Sequence, residues 1–219
     1  MKKFFTAACL SLAAVVAAPG ADANQIKQWQ SAAEQGDASA MSQLARAYTF
    51  GDGVIKDYVK AYELYRKAAD KGVADAQNGM GFYHYSGLGG AKKDFAEAMA
   101  WYRKAAEQGL AKSQCNLAMM LQSGEGVPVN LTEAVKWLQL SAEQGFANAQ
   151  YLLAIALRDG SGTAKSAVEA WKWFSLAAAQ KYGNSAQQLA QLETSMLPEQ
   201  LAAARKLAAE FKPKTASAK

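Results

Sequence analysis

The sequence predicts an all-α solenoid of about four helix-turn-helix repeats, closed at each end by capping helices. Three observations lead there. A block ending in glycine recurs at intervals of 36 or 37 residues, as Ala33-Glu34-Gln35-Gly36, Ala69-Asp70-Lys71-Gly72, Ala106-Glu107-Gln108-Gly109 and Ala142-Glu143-Gln144-Gly145. A glycine pair recurs in step, as Gly51/Gly53, Gly87/Gly89, Gly124/Gly126 and Gly160/Gly162. At one phase of each period stands a side chain able to cap a helix: Asp57, Asp94, Asn130 and Ser166. Such a period marks units too small to bury both faces alone, which stack on their neighbours into a superhelix.

Taken in order, the chain opens with Lys2 and Lys3, an apolar stretch from Phe4 to Ala18, and small residues at Ala21 and Ala23. These are the parts of a secretory signal peptide, with cleavage expected after Ala23. The apolar stretch is shorter than the roughly 20 residues needed to cross a bilayer, so membrane attachment would require that this segment stay uncleaved. Residues 24–36, with a helix from Ile26 to Gln35 that includes Trp29, should cap the array. The repeats follow at about 37–72, 73–109, 110–145 and 146–180.

In each repeat the first helix is predicted over Ala38–Phe50, Ala74–Ser86, Ala111–Ser123 or Ala147–Asp159. It stops at the Gly-x-Gly turn, because glycine accepts the positive φ of a helix C-terminus. The second helix starts at the capping residue. Glu97, Glu133 and Glu169 lie three residues beyond the cap, the spacing of a capping box, whereas Lys60 holds that place in the first unit. Second helices carry Leu64-Tyr65, Trp101-Tyr102, Trp137-Leu138 and Trp173-Phe174. First helices oppose them with Leu44-Ala45, Met80-Gly81, Leu117-Ala118 and Leu153-Ala154, a large residue beside a small one that lets two backbones approach. After Gln180 the pattern lapses, Lys181 standing where glycine is expected. Residues 181–211 then read as closing helices, Ser185–Glu193 and Pro198–Phe211, and residues 212–219 as a solvated, disordered basic tail.

These residues resemble Sel1-like repeats. The likeness lies in Leu-Gly-x-x-Tyr-x-x-Gly-x-Gly-Val followed by Asp, Ala, Trp, Tyr and Ala-Ala-Glu-Gln-Gly, and it covers about Gln28 to Gln180. Ala45, Ala118 and Ala154 stand where the family favours glycine, His84 and Leu121 where tyrosine is usual, and Thr163 where valine is usual. The resemblance implies a right-handed α/α superhelix related to tetratricopeptide repeats. It also implies an adaptor of secretion, envelope assembly, signalling or host contact. Some relatives bridge the two helices of each repeat with a cysteine pair; without such pairs, stability should come from packing.

Charge and chemistry narrow the function. The chain carries a formal +5, but basic and acidic residues balance from Asn24 to Gln200, so the surplus sits in the leader and the tail. A nucleic-acid binder needs a basic face on its folded body, and none is expected. Cys115 is the single cysteine after the leader and should be a buried apolar group. His84, the only histidine, falls at a core-facing position, and a general base also needs a positioned partner. No Cys-x-x-Cys, His-Glu-x-x-His, calcium-loop or Ser-x-x-Lys pattern occurs. The Gly-x-Gly turns join helix to helix and are no phosphate loop, and Asn130-Leu131-Thr132 reads as a helix cap rather than a sequon.

The expectation is therefore a non-catalytic protein without cofactor or metal, periplasmic or secreted after cleavage near Ala23, that binds a protein or peptide. If first helices line the concave side, three registers vary there: Gln43, Arg46 and Ala47; Gly79, Phe82 and Tyr83; Asn116, Met119 and Met120; Leu152, Ile155 and Ala156. The candidate partner-binding residues are Phe82, Tyr83, Asn116, Met119, Met120, Leu152 and Ile155, an apolar, Met-containing set suited to an extended or helical peptide. The alternative is that half of these simply pack between successive first helices, and serine at Tyr83 and Met120 separates the two readings. A different function, an envelope hydrolase or cell-wall binder on this fold, would draw on His84, Glu125 or Asp159. A third, a membrane-held assembly factor, needs the uncleaved leader.

Overall fold

Glycine turns and polar caps divide residues 21–214, which the computed structural model describes, into eleven helices, with no strand among the described residues. α1 (Ala23–Glu34) stands alone. Four hairpins follow: α2 (Ala38–Phe50) with α3 (Tyr58–Asp70), α4 (Ala74–Ser86) with α5 (Phe95–Glu107), α6 (Ala111–Ser123) with α7 (Leu131–Glu143), and α8 (Ala147–Asp159) with α9 (Ala167–Ala179). α10 (Ser185–Glu193) and α11 (Pro198–Ala209) close the series. The first helix of each hairpin begins and ends on the predicted residues, and each second helix begins one residue after its predicted cap. The predicted signal peptide falls largely outside the described residues, although Asp22 is described and caps α1 by accepting from the Gln25 N–H at 2.8 Å.

Every second helix is capped as expected, but the capping boxes are not made. Asp94, Asn130 and Ser166 accept from the N–H groups of Glu97, Glu133 and Glu169. The reciprocal arm is pre-empted, because the cap residue's own N–H already donates to a carbonyl of the preceding helix: Asp94 to His84, Asn130 to Leu121, Ser166 to Leu157, and Asp57 to Tyr48. The glutamate carboxylates turn to other partners: Glu133 accepts from the Asn130 amide and from the Trp137 indole, and Glu169 accepts from Lys172. The cap thus fastens one helix of the hairpin to the other.

The described chain comprises two compact units, residues up to Ser113 and residues from Gln114 onward. In the first, each helix packs on its neighbours in sequence, and α2 also touches α4. Tyr65 and Tyr102 lie on the backbone of α4 from its two sides. A Cβ on Gly79 would come within 2.8 Å of the Tyr65 ring, and one on Gly81 within 2.6 Å of the Tyr102 ring. Glycine costs a helix interior about 1 kcal/mol relative to alanine; here the ring buried in its place offsets that cost. Tyr83 sits among Tyr58, Tyr62, Tyr65 and Phe82, with ring centroids 5.8 to 6.4 Å away, and shares a buried 2.9 Å hydrogen bond with Thr49. Burial pushes its phenol up to about 12, against the opposing effect of the Thr49 bond.

In the second unit α7 packs on α8, α8 on α9, and both α10 and α11 on α9. The core residues are Leu117, Leu138, Leu153, Trp173 and Phe174. Of the paired large residues in second helices, the later one is buried in every repeat, as Tyr65, Tyr102, Leu138 and Phe174. The earlier one, Leu64, Trp101 or Trp137, is only half-buried. Trp173 is the exception, since Phe211 lies across it with ring centroids 5.4 Å apart. That contact explains why α11 stops at Ala209, short of the predicted Phe211: the chain leaves the helix to turn the Phe211 ring inward. Residues 212–214 correct a second expectation, because they are not a free end. Pro213 lies at Gly145, the Lys214 N–H donates to the Glu143 carbonyl at 2.8 Å, and Lys214 Nζ donates to the Glu143 carboxylate at 2.7 Å. The remaining residues of the predicted tail, 215–219, lie outside the described ones.

Candidate partner-binding surface

An α-helix turns about 100° per residue, so positions spaced as 79, 82 and 83 share one face roughly 100° wide, with 82 and 83 at its opposite edges. In the first helices the structure separates them. At the first register Gly79, Asn116 and Leu152 are buried and Gln43 is exposed; at the third, Ala47, Tyr83, Met120 and Ala156 are all buried. The middle register, Arg46 and Phe82 in the first unit and Met119 and Ile155 in the second, is half-exposed in all four repeats. Tyr83 is 0 % and Met120 1 % exposed, so serine at either would read out packing rather than contact with a partner. Of the seven candidates, Phe82, Met119 and Ile155 offer surface, while Tyr83, Asn116, Met120 and Leu152 are interior.

The candidate chemical groups are placed as follows. His84 is buried, its Nε2 3.4 Å from Glu97 Oε1, with neither ring nitrogen in a hydrogen bond. Asp159 is held by the Arg158 guanidinium at 2.7 and 3.0 Å, which keeps its carboxyl below the usual carboxylate range. Glu125 lies half-buried in the turn after α6. Cys115 is buried. Among the described residues no group of three or more His, Cys, Asp or Glu could hold a metal ion. No described helix is long and apolar enough to cross a membrane.

One set of residues escaped the sequence reading. The third residue of the Ala-x-x-Gly block, and Gln180 at the same phase, reach back to the preceding repeat, three of the four to its turn carbonyl. Lys71 Nζ donates to the Gly36 carbonyl at 2.6 Å, and Gln108 Nε2 to the Gly72 carbonyl at 3.0 Å and to Gln77 at 2.7 Å. In the second unit Gln144 donates to Gln114 at 2.9 Å, and Gln180 to the Gly145 carbonyl at 3.0 Å and to Gln150 at 2.9 Å. The signal was present, since Gln77, Gln114 and Gln150 recur at the same period as Gln108, Gln144 and Gln180. These glutamines are the polar rungs between repeats.

Four copies of the Sel1 repeat model match residues 38–73, 74–110, 111–146 and 147–182. The chain belongs to the Sel1 repeat family. Its Sel1 repeats are of a kind that generally mediates contacts between proteins. Among solved structures, the chain is similar to a Sel1 repeat protein from Oxalobacter formigenes, with 30% identity, 88% of this chain and 78% of that chain covered, and a TM-score of 0.71. It is also similar to c5321, described as a protective antigen of uropathogenic Escherichia coli strains that displays the same fold. There the identity is 25%, the coverage 90% of this chain and 57% of that one, and the TM-score 0.50. The immunity protein PA5088 from Pseudomonas aeruginosa, 20% identical over 87% of this chain and 75% of that chain with a TM-score of 0.53, shares the fold alone. No curated protein matches.

Proposed function

We propose that the protein is an exported, non-catalytic scaffold that holds a protein or peptide partner on the half-exposed register of its first helices. The observation that carries this reading is the contrast within each Sel1 repeat. The residues that recur are consumed by packing, turns and caps, while the middle register is half-exposed in every repeat and changes identity from Arg46 to Phe82, Met119 and Ile155. Buried registers vary too, as Ala47, Tyr83, Met120 and Ala156 do, so it is exposure that singles out the middle one: a register that reaches solvent in every unit while staying apolar in three suits recognition of a particular partner. Export to the periplasm or beyond rests on the basic start, apolar stretch and small residues of the leader.

The test is a photo-crosslinking residue placed in turn at 82, 119 and 155 in the bacterial envelope, with serine at the other two positions as the control. One crosslinked species, lost on serine exchange while the melting temperature holds, is the expected outcome. Absence of any crosslink at all three positions, or a fall in melting temperature that accounts for the loss, ends the reading.

A further inference from the structure

The residues just ahead of α1 are built into the first hairpin much as later repeats use their own. Ala21 is only 9 % exposed, and its N–H donates to Asp52 Oδ1 at 2.8 Å. Its carbonyl lies so close to the turn that a Cβ on Gly53 would come within 2.3 Å of the oxygen. The same contact recurs where Gly89 meets the Tyr58 carbonyl and Gly162 the Leu131 carbonyl, each again 2.3 Å from the Cβ position. Tyr58 and Leu131 open α3 and α7, so Ala21 does for the first turn what the start of a second helix does for later ones. Asp22 then caps α1.

A mature chain beginning at Asn24 would lose the Ala21 contacts and the Asp22 cap together. It would also put an ammonium in the first turn of α1, where the helix dipole disfavours a cation. We infer that the exported chain is cut between Gly20 and Ala21, so that its new amino terminus rests on Asp52. The inference depends on the export proposed above. Ala18 and Gly20 offer a leader peptidase the same small-x-small pattern as Ala21 and Ala23, so pattern does not separate the two cuts. Their products differ. Hydrolysis adds one water across the Gly20–Ala21 amide: the carbonyl carbon takes the hydroxyl and leaves as the Gly20 carboxylate, and the nitrogen becomes the Ala21 ammonium. A neutral donor 2.8 Å from a carboxylate oxygen thereby becomes a charged one, and charge-assisted hydrogen bonds are the stronger kind. Asp22 and Asp52 both flank the new charge.

The chain should be produced with its own leader in a bacterial host and its intact mass and N-terminal sequence determined. A product beginning at Ala21 is expected. One beginning at Asn24 overturns the inference and leaves export standing, whereas one beginning at Met1 overturns both. A second measurement compares chains made to start at Ala21 and at Asn24, each with and without Asp52→Ala. The substitution should lower the melting temperature by about 2–4 °C in the longer chain and leave the shorter one unchanged; an equal effect in both removes the proposed pairing.

Discussion

Up to Ser113 the space between helices is filled by rings laid on glycine, Tyr65 over Gly79 and Tyr102 over Gly81. From Gln114 onward the corresponding first-helix positions hold Leu152 and Ala154, and the end is closed by Trp173 beneath Phe211. The repeat therefore fixes the volume between two helices rather than the residue that supplies it. Glycine beneath a ring and alanine at the corresponding position satisfy the same backbone, in line with the tolerance of cores for swaps that conserve volume.

Truncating the closing ring should have the largest effect. Trp173→Ala removes a buried indole and uncovers Phe211, and should cost about 3–5 kcal/mol, with hydrogen exchange rising first in α9 and α11. A pair of opposite swaps tests the comparison itself. Gly81→Ala drives a methyl into the Tyr102 ring and should cost about 1–3 kcal/mol despite the better helix former, whereas Ala154→Gly should cost about 1 kcal/mol by propensity. If Gly81→Ala is stabilising in urea denaturation, the ring does not depend on the missing side chain.

A smaller change of the opposite sign is expected at Lys181, which takes a φ of 56° where each earlier block has glycine. Lys181→Gly should raise stability by about 1 kcal/mol, read as a higher urea midpoint at unchanged slope. The smallest effect concerns Lys214. Partial burial would raise Glu143, but it is outweighed by the bonds from Lys214 and Gln139 and by the charges of Lys214 and Lys172, so the carboxyl lies below its usual range. A lowered carboxyl contributes stability above the unfolded-state value and loses it as the pH falls through the folded-state value. Lys214→Ala should remove part of that acid-side loss. Because Lys214 is largely exposed, the change at neutral pH should stay within about 0–1 kcal/mol, measured by denaturation at neutral and acid pH.

The helices were legible because their ends are chemical events: a glycine that allows positive φ, or an oxygen that meets a bare N–H. The capping boxes were misread because the competing carbonyl on the preceding helix becomes visible only once the hairpin closes. Of the candidate surface, the helices that carry it were readable, but not which register faces out. Tyr83 and Phe82 are adjacent in sequence and similar in chemistry, and only the positions of α2, α3 and α5 decide that one is interior. The tail was misread for a related reason, since the order of Lys214 depends on Glu143, 71 residues earlier.

The glutamine rungs bear on how such an array changes length. Each needs only an amide side chain and an acceptor in the preceding repeat, a turn carbonyl for Gln108 with Gly72 and a second glutamine for Gln144 with Gln114. Tandem copying of one unit would supply both halves of a new fastening at once, so growth by whole units calls for no compensating mutation. Past Gln180 the template is spent: no Gly-x-Gly follows and Lys181 replaces the turn glycine, so lengthening by this route has to occur upstream of it.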